Sequence, residues 1–331
     1  PLMRVVFMGT GEIGVPALRW LLGAPGWEVV AAVTQPDKPA GRKLALRASA
    51  IKQLAVERGV PVLQPVKMRA PEAVAEVVAL QADVIVVMAY GQILPKAVLA
   101  AGRLACLNLH ASLLPRWRGA APIQAAIEAG DRASGITVMH MAEGLDTGDI
   151  LLAHATPLGR RETGGSLHDR LGVIAAEALA EALPLVAAGR APRMPQDEAQ
   201  ANYAPKLSRE NGAIDWSATP AEIDRRIRAM NPWPAAHTFL PTPEGPRQLK
   251  VFACIQHRRE GGPAGVVLRV DRRGILVGAG TGAVLLRDVQ MEGKRRMSAG
   301  EFVRGHALET GTVLGKSEIR NSKSETNSKC E

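Results

Sequence analysis

Short apolar runs alternate with longer stretches of helical period over the first part of the chain. Residues 4–8 (Arg-Val-Val-Phe-Met) predict a buried strand and 15–22 a helix. The same alternation predicts strands at 29–33, 60–63, 83–88 and 104–109, with helices at 51–58, 71–80 and 96–101. A helix at 122–129, strands at 135–141 and 150–155, and a long amphipathic helix at 166–188 with Ser166 as its N-cap complete the pattern. This is the order of an α/β domain. The pattern changes after it. Residues 189–211 carry Pro192, Pro195 and Pro205 among polar residues and predict a linker. A short strand at 213–216, a basic helix at 220–230, five short strands at 237–240, 248–255, 265–270, 274–277 and 283–289, and a helix at 298–304 predict a small β-barrel. The expected division is a domain at 3–188, a linker at 189–211, a second domain at 212–314, and a disordered Ser/Lys/Asn/Glu-rich tail at 315–331.

The predicted loops are where the chemistry falls. Gly9-Thr10-Gly11-Glu12-Ile13-Gly14 is a G-x-G-x-x-G turn between strand and helix, the context of a dinucleotide pyrophosphate site. The acid such a site needs about 20 residues on has only Asp37, inside a Pro-rich loop, so a tight turn opening a doubly wound fold is the better reading. Residues 35–49 form a long polar loop with Lys38, Arg42, Lys43 and Arg47 against one acid, either a solvated segment or a finger that grips phosphates. At the end of the strand 104–109 comes Asn108-Leu-His-Ala-Ser-Leu-Leu-Pro-Arg-Trp-Arg-Gly-Ala-Ala-Pro-Ile123. Asn108 and His110 lie two residues apart and so point to one side of an extended chain. One can donate to a developing oxyanion and the other can move a proton near neutral pH.

Composition narrows these readings. No uninterrupted apolar run reaches the roughly 18 residues of a membrane span. The first residues read directly as a strand, with neither a signal-peptide layout nor an Arg/Ser-rich presequence, so the expected location is the bacterial cytoplasm. Three widely spaced cysteines, Cys106, Cys254 and Cys330, fit a reducing compartment and suggest neither a disulfide framework nor a Cys-based metal site. Cys106, among apolar neighbours, reads as a buried filler, and the histidines show no metal-ligand spacing. Net charge is +9, and residues 206–315 hold 17 Lys and Arg against 11 Asp and Glu. That excess suggests a polyanionic partner for the second domain.

Two motifs carry a resemblance. Asn108 to Ile123, together with Met141-Ala-Glu-Gly-Leu-Asp-Thr-Gly-Asp149, resembles the paired signatures of the 10-formyltetrahydrofolate-dependent formyltransferases. Gln35 to Lys43, Tyr203-Ala-Pro-Lys-Leu207, Ile214-Asp-Trp216 and Asn231-Pro-Trp-Pro234 resemble the branch that formylates methionyl-initiator tRNA. The resemblance covers Met3 to about Leu314, and its one departure is Ala142, where an acid is more usual. It implies a Rossmann-like doubly wound formyltransferase domain that uses no NAD and no metal, followed by an OB-like barrel that helps bind tRNA. It also implies 10-formyltetrahydrofolate as co-substrate and initiator methionyl-tRNA as partner, with Asn108, His110 and Asp146 catalytic. Ser112, Leu113, Leu114 and Pro115 would contact folate, and Lys38, Arg42, Lys43 and Arg47 the tRNA. A structural turn fixed by Pro115 is compatible with that folate contact. The protein is expected to act as a monomer.

Formyl transfer suits these residue types. An amine attacks a formyl carbon, an oxyanion forms, and a proton travels from the amine to the leaving N10. Asn108 can donate to the oxyanion, His110 can stabilise it or relay the proton, and Asp146 can hold the imidazole in one tautomer, directly or through water. Arginines near Arg226, Arg273 and Arg296 read as an RNA-backbone groove in preference to a merely solvated surface. Two competing readings remain: formyl transfer to a small amine such as an amino sugar or glycinamide nucleotide, and a non-catalytic RNA-binding relative. The basic loop and basic second domain speak against the former, and the retained Asn108, His110 and Asp146 against the latter.

Overall fold

The computed structural model describes residues 2–40 and 45–315. By internal contacts the chain forms two compact units, Pro1–Lys206 and Leu207–Glu331. In the first unit, β1 (Met3–Gly9), α1 (Val15–Gly23) and β2 (Trp27–Val33) open the fold. A short hairpin follows, β3 (Lys38–Ala40) with β4 (Ala45–Arg47), then α2 (Ala50–Glu57), β5 (Val62–Leu63), α3 (Pro71–Ala79) and β6 (Val84–Met88). Next come α4 (Lys96–Leu99), β7 (Ala105–His110), β8 (Arg118–Gly119), α5 (Pro122–Ala129), β9 (Ala133–His140), β10 (Ile150–Pro157), α6 (Gly164–Ala187) and β11 (Tyr203–Ala204). Seven strands make the main sheet, in the order β10-β9-β7-β6-β1-β2-β5. The five from β5 to β7 are parallel, while β9 and β10 run antiparallel at one edge.

Strand order reverses between β1 and β6: the chain winds outward through β2 to β5, then returns to lay β6 and β7 on the other side of β1. Ligands of open α/β sheets bind beyond the carboxyl ends of the strands at such a reversal. The central strands are apolar on both faces, as burial under helices on both sides requires. Val6, Met8, Ile85 and Val87 pack with Ala73 and Val77 of α3. On α6, Leu167, Leu171, Ala175, Ala178, Ala182 and Val186 return at helical spacing and are buried.

One ion pair fixes the rim opposite the reversal's ligand edge. Asp83, nearly buried, accepts from the Arg4 amide (2.9 Å) and from Arg103 Nε (2.9 Å) and Nη2 (2.6 Å). The Arg4 amide, with the Arg103 guanidinium, holds its carboxyl below the usual carboxylate range. Asp83→Ala is therefore expected to cost about 1–3 kcal/mol at neutral pH. A depressed pKa contributes stability above the unfolded value near about 4 and loses it as pH falls through the folded one. The gap between wild type and variant should narrow in acid, which thermal denaturation at the two pH values would read.

The second unit holds α7 (Pro220–Ala229), β12 (Ala236–Leu240), β13 (Arg247–His257), β14 (Val267–Asp271), β15 (Gly274–Gly278), β16 (Ala283–Met291), β17 (Met297–Ser298) and α8 (Ala299–Gly305). Its strands pair antiparallel in the order β12-β13-β16-β15-β14, with β17 on β16. Both edges meet the same closing segment: Val313 bridges to Val266 beside β14, and Gly315 to Phe239 of β12. Ile223, Ile227, Val251, Val277, Leu286 and Phe302 lie in its core.

Four local expectations are corrected. The loop at 35–49 contains the β3–β4 hairpin, which pairs Lys38 with Arg47. The N-cap of α6 is Thr163, with Ser166 at the third helical position in a reciprocal capping box. Residues 213–216 make one bridge, Ala213 to His237, and no strand, because burial of Ile214 and Trp216 in the core fixes them without a ladder. The stretch at 189–211 is not bare linker. It carries a 3₁₀ turn at Glu198–Gln200 and β11, whose Tyr203 and Ala204 pair in parallel with Arg118 and Gly119 of β8. Arg42, Lys43 and the tail beyond Gly315 lie outside the described residues.

Candidate active site

The carboxyl end of β7 carries Asn108 and His110, and both turn toward Asp146 from the loop after β9. Asn108 Nδ2 donates to Asp146 Oδ1 at 3.3 Å. His110 Nδ1 stands 3.6 Å from Asp146 Oδ2, with both side chains largely buried. The same Oδ2 accepts from the Gly119 amide at 2.8 Å. Three donors or potential donors therefore converge on one carboxylate. The other imidazole nitrogen, Nε2, lies 2.8 Å from the Trp117 carbonyl. A carbonyl only accepts, so Nε2 carries the hydrogen in this pair. The ring thus stands between two acceptors, the Trp117 carbonyl at Nε2 and the Asp146 carboxylate at Nδ1.

The turn after β7 is built to present that carbonyl. Trp117 has φ +61° and Gly119 +103°. At Gly119 a side chain would be strained, and a Cβ would lie 2.6 Å from the Ala204 carbonyl. Trp117 donates through its amide to Asn202 Oδ1 (2.5 Å) and through Nε1 to Asp131 Oδ2 (2.7 Å). Arg116 forks onto Asp131 (2.9 and 2.6 Å) and lies over the Trp117 ring, 4.5 Å from its centroid. The Arg-Trp exit of this loop thus acts as a brace. Arg118 is fully buried; it forks onto Glu198 (2.8 and 2.6 Å), which with burial opposing holds its guanidinium's pKa above the ordinary value.

The segment expected to contact folate is wired into the sheet. Thr137 Oγ1 donates to the Ser112 carbonyl (2.7 Å) and accepts from the Leu114 amide (3.1 Å). Ser112 Oγ donates to the Arg116 carbonyl (2.6 Å), and the Leu113 carbonyl accepts from the Arg116 amide (3.1 Å). Ser112 and Leu114 are buried. The surface this segment offers a ligand is that of Leu113 and Pro115, which remain partly exposed.

The glycine turn after β1 closes on its own sheet: the Thr10 and Gly11 amides both donate to the Ala89 carbonyl (3.1 and 3.2 Å). Asp37 accepts from Lys52 (2.7 Å) and Gln64 (2.8 Å), which hold its carboxyl below the usual range. It anchors the base of the β3–β4 hairpin. On that hairpin Lys38 donates to Gln35 Oε1 (2.6 Å), and Lys38 and Arg47 are exposed. Cys106 is buried, and burial pushes its thiol up to about 12, an inert filler. Among the described residues no cluster of three or more His, Cys, Asp or Glu is placed to hold a metal ion. In the second unit, Arg226 donates to the Asn211 and Ala213 carbonyls, and Arg296 pairs with Asp288 while lying 4.2 Å over the Phe252 ring.

Comparison with known proteins matches residues 3–183 to the formyl transferase family and residues 206–307 to the formyl transferase C-terminal domain. The methionyl-tRNA formyltransferase of Geotalea uraniireducens is 46% identical over 314 residues, 95% of this chain and 98% of that protein. That of Stutzerimonas stutzeri is 48% identical over 316 residues, 95% of this chain and 99% of that protein. The chain belongs to the methionyl-tRNA formyltransferase family.

Solved structures share the formyltransferase fold at lower identity. The N-formyltransferase of Helicobacter canadensis, in complex with folinic acid and dTDP-3-aminofucose, has TM-score 0.65 and 16% identity over 86% of this chain and 99% of that one. Aquifex aeolicus HypX with tetrahydrofolic acid has TM-score 0.61 and 18% identity over 94% of this formyltransferase, which spans 51% of HypX. In this formyltransferase the partners of the site loops that sequence reading missed are Asp131, Thr137, Gln196, Glu198 and Asn202. No spacing rule could have found the last three, which act across 78 to 85 residues.

Proposed function

We infer that this protein transfers the formyl group of 10-formyltetrahydrofolate to the free amine of methionyl-initiator tRNA. The observation that carries the reading is the convergence of Asn108 and His110 on Asp146 within 3.6 Å at the carboxyl end of β7, in a chain similar over its length to methionyl-tRNA formyltransferases. The amine lone pair attacks the formyl carbon, the carbonyl becomes an oxyanion, and the carbon–N10 bond then breaks. Asn108 turns its amide from Asp146 to the oxyanion. His110 Nδ1, which bears no hydrogen while Nε2 donates to the Trp117 carbonyl, takes the proton released by the amine and passes it to N10, and Asp146 aligns both side chains. The folate lies against the exposed faces of Leu113 and Pro115, with Ser112 and Leu114 holding that wall. The enzyme works as a monomer in the bacterial cytoplasm; among the described residues no helix is long and apolar enough to cross a membrane.

The β3–β4 hairpin supports an RNA partner. Lys38 and Arg47 stand directly opposite each other, an arrangement of like charges that is unfavourable until a polyanion lies on it. With Arg42 and Lys43 between them in sequence, they supply the positive charge that grips the tRNA. The second unit, the OB-like barrel of the reading above, adds the remaining positive charge. The test is formylation in the presence of 10-formyltetrahydrofolate, with charged initiator tRNA in one arm and amino sugars or glycinamide nucleotide in the other. Absence of formyl-methionyl-tRNA sinks the reading. Arg42→Ala combined with Arg47→Ala is expected to raise KM for tRNA about tenfold or more by loss of phosphate contacts. KM for folate should move little; an equal rise in both would remove the hairpin from tRNA binding.

A further inference from the structure

Gln196, in the segment after α6, reaches the loop of Asp146. Its Oε1 accepts from Arg118 Nε (3.1 Å) and Nη2 (2.9 Å). Its Nε2 donates to the Asp146 carbonyl (2.8 Å) and to the Gly148 carbonyl (2.8 Å). The amide has only one way round. A guanidinium cannot accept, so the atom facing Arg118 is oxygen, and both hydrogens of the nitrogen then meet backbone carbonyls. Arg118 is itself fixed by its fork onto Glu198, by complete burial, and by the Tyr203 hydroxyl at 3.4 Å.

The loop needs such a clamp. Asp146 sits at φ +52°, in the left-handed region that non-glycine residues adopt at a cost. Its carboxylate is engaged by Asn108 Nδ2, which it has to orient, and by the Gly119 amide. Its main chain must be fixed by something else, and Gln196 does that from the side of the backbone. We propose that Gln196, oriented by Arg118, is a positioning residue that pins the backbone of Asp146 and so aligns its carboxylate with Asn108 and His110. The proposal rests on the formyl-transfer reading of that triad. Gln196 touches no reacting atom, so its effect runs through Asp146.

The test is a double-mutant cycle in single-turnover kinetics with saturating folate and tRNA, on the full-length protein. Gln196→Ala is expected to slow formyl transfer by about 10- to 100-fold, the scale of a displaced catalytic group. In separate steady-state assays, KM for either substrate should change less than about threefold. On an Asp146→Asn background the same substitution should cost less than about threefold, because the group it aligns has already lost its charge. Gln196→Glu keeps the shape and the contact with Arg118 but turns an oxygen toward two carbonyls. It should be as slow as Gln196→Ala, whereas a space-filling role would be rescued by it. Should Gln196→Ala lower Tm, Gln196→Met, which keeps the volume without hydrogen bonds, replaces it in the cycle. Equal fold-losses in the two backgrounds, or wild-type rates for Gln196→Glu, overturn the proposal. Wild-type formylation of methionyl-tRNA is measured in the same assay. Its absence counts against the functional reading, whereas an active wild type with an additive cycle counts against Gln196 alone.

Discussion

Replacing His110 by alanine is expected to lower kcat by about 10²–10⁴, the range of a lost proton-transfer group. KM for folate and for tRNA should move far less. The imidazole lies at the carboxyl end of β7, mostly buried, with one nitrogen on the Trp117 carbonyl and the other facing Asp146. The alanine variant leaves the Trp117 carbonyl without its donor, which itself costs about 1–3 kcal/mol if the group stays buried. Loss of rate could therefore be confused with loss of structure. His110→Gln separates the two. Its side-chain amide can still donate to the Trp117 carbonyl, so stability should return toward wild type, but it cannot relay a proton at neutral pH. Measured Tm and kcat should then part company. A His110→Gln enzyme with near-wild-type turnover would remove His110 from the proton path and leave it a turn-holding residue.

The elements of the first unit were legible because each strand is a short apolar run bounded by turn residues, and burial on both faces leaves no other use for such runs. Asn108 and His110 were legible for a similar reason: a strand's period of two fixes their common side before any tertiary fact is known. Asp146 came from motif resemblance. Nothing in its spacing from His110 would have paired them. Residues that act through backbone groups left no trace. The Trp117 carbonyl that meets His110 Nε2 depends on chain geometry, not side-chain identity. Gln196 and Asn202 fell in a stretch whose prolines and polar residues read as a linker, yet both bond the site loops. Thr163 and Ser166 are both acceptable caps, and only the reciprocal bonds between them decide which leads the helix. The β3–β4 strands are three residues each, too short to show alternation.

The turn after β1 shows how the same sequence pattern serves a different end. A G-x-G-x-x-G turn is a phosphate site only when its amides point outward to a ligand. Here the Thr10 and Gly11 amides donate to the Ala89 carbonyl just past β6, and the acid downstream is bonded to Lys52. The turn therefore ties β1 to β6 across the reversal in strand order. The reactive groups stand one strand further along, on β7. What the glycines supply is close packing: a Cβ on Gly9 would lie 3.0 Å from the Met88 carbonyl, and one on Gly11 3.1 Å from Ala89 Cβ.

Gly148→Ala should cost as much as the low end of the loss expected for His110→Ala, though residue 148 carries no reactive group. A Cβ there would lie 1.7 Å from the His140 carbonyl oxygen, 2.9 Å from its carbon and 3.3 Å from the Ala142 amide nitrogen. These are backbone atoms at and just past the end of β9, held in the sheet by pairing with β7 and by the hydrogen bond that the His140 amide donates to the Asp149 carbonyl (2.9 Å). They cannot swing aside as a flexible side chain would, so the loop must move instead. Asp146 lies two residues earlier in that loop, and Gln196 bonds both Asp146 and Gly148 through their carbonyls. A shift that relieves the clash therefore carries the carboxylate away from Asn108 and His110. A misplacement of about 1 Å in a catalytic group can cost about 100-fold in rate, and that is the expected loss in kcat. Gly23→Ala provides the contrast, because a Cβ at Gly23 meets nothing within 4 Å, and it should leave kcat unchanged. Near-normal turnover in Gly148→Ala would mean that the loop tolerates displacement, and that the close fit of Asp146 to Asn108 and His110 does not govern the rate.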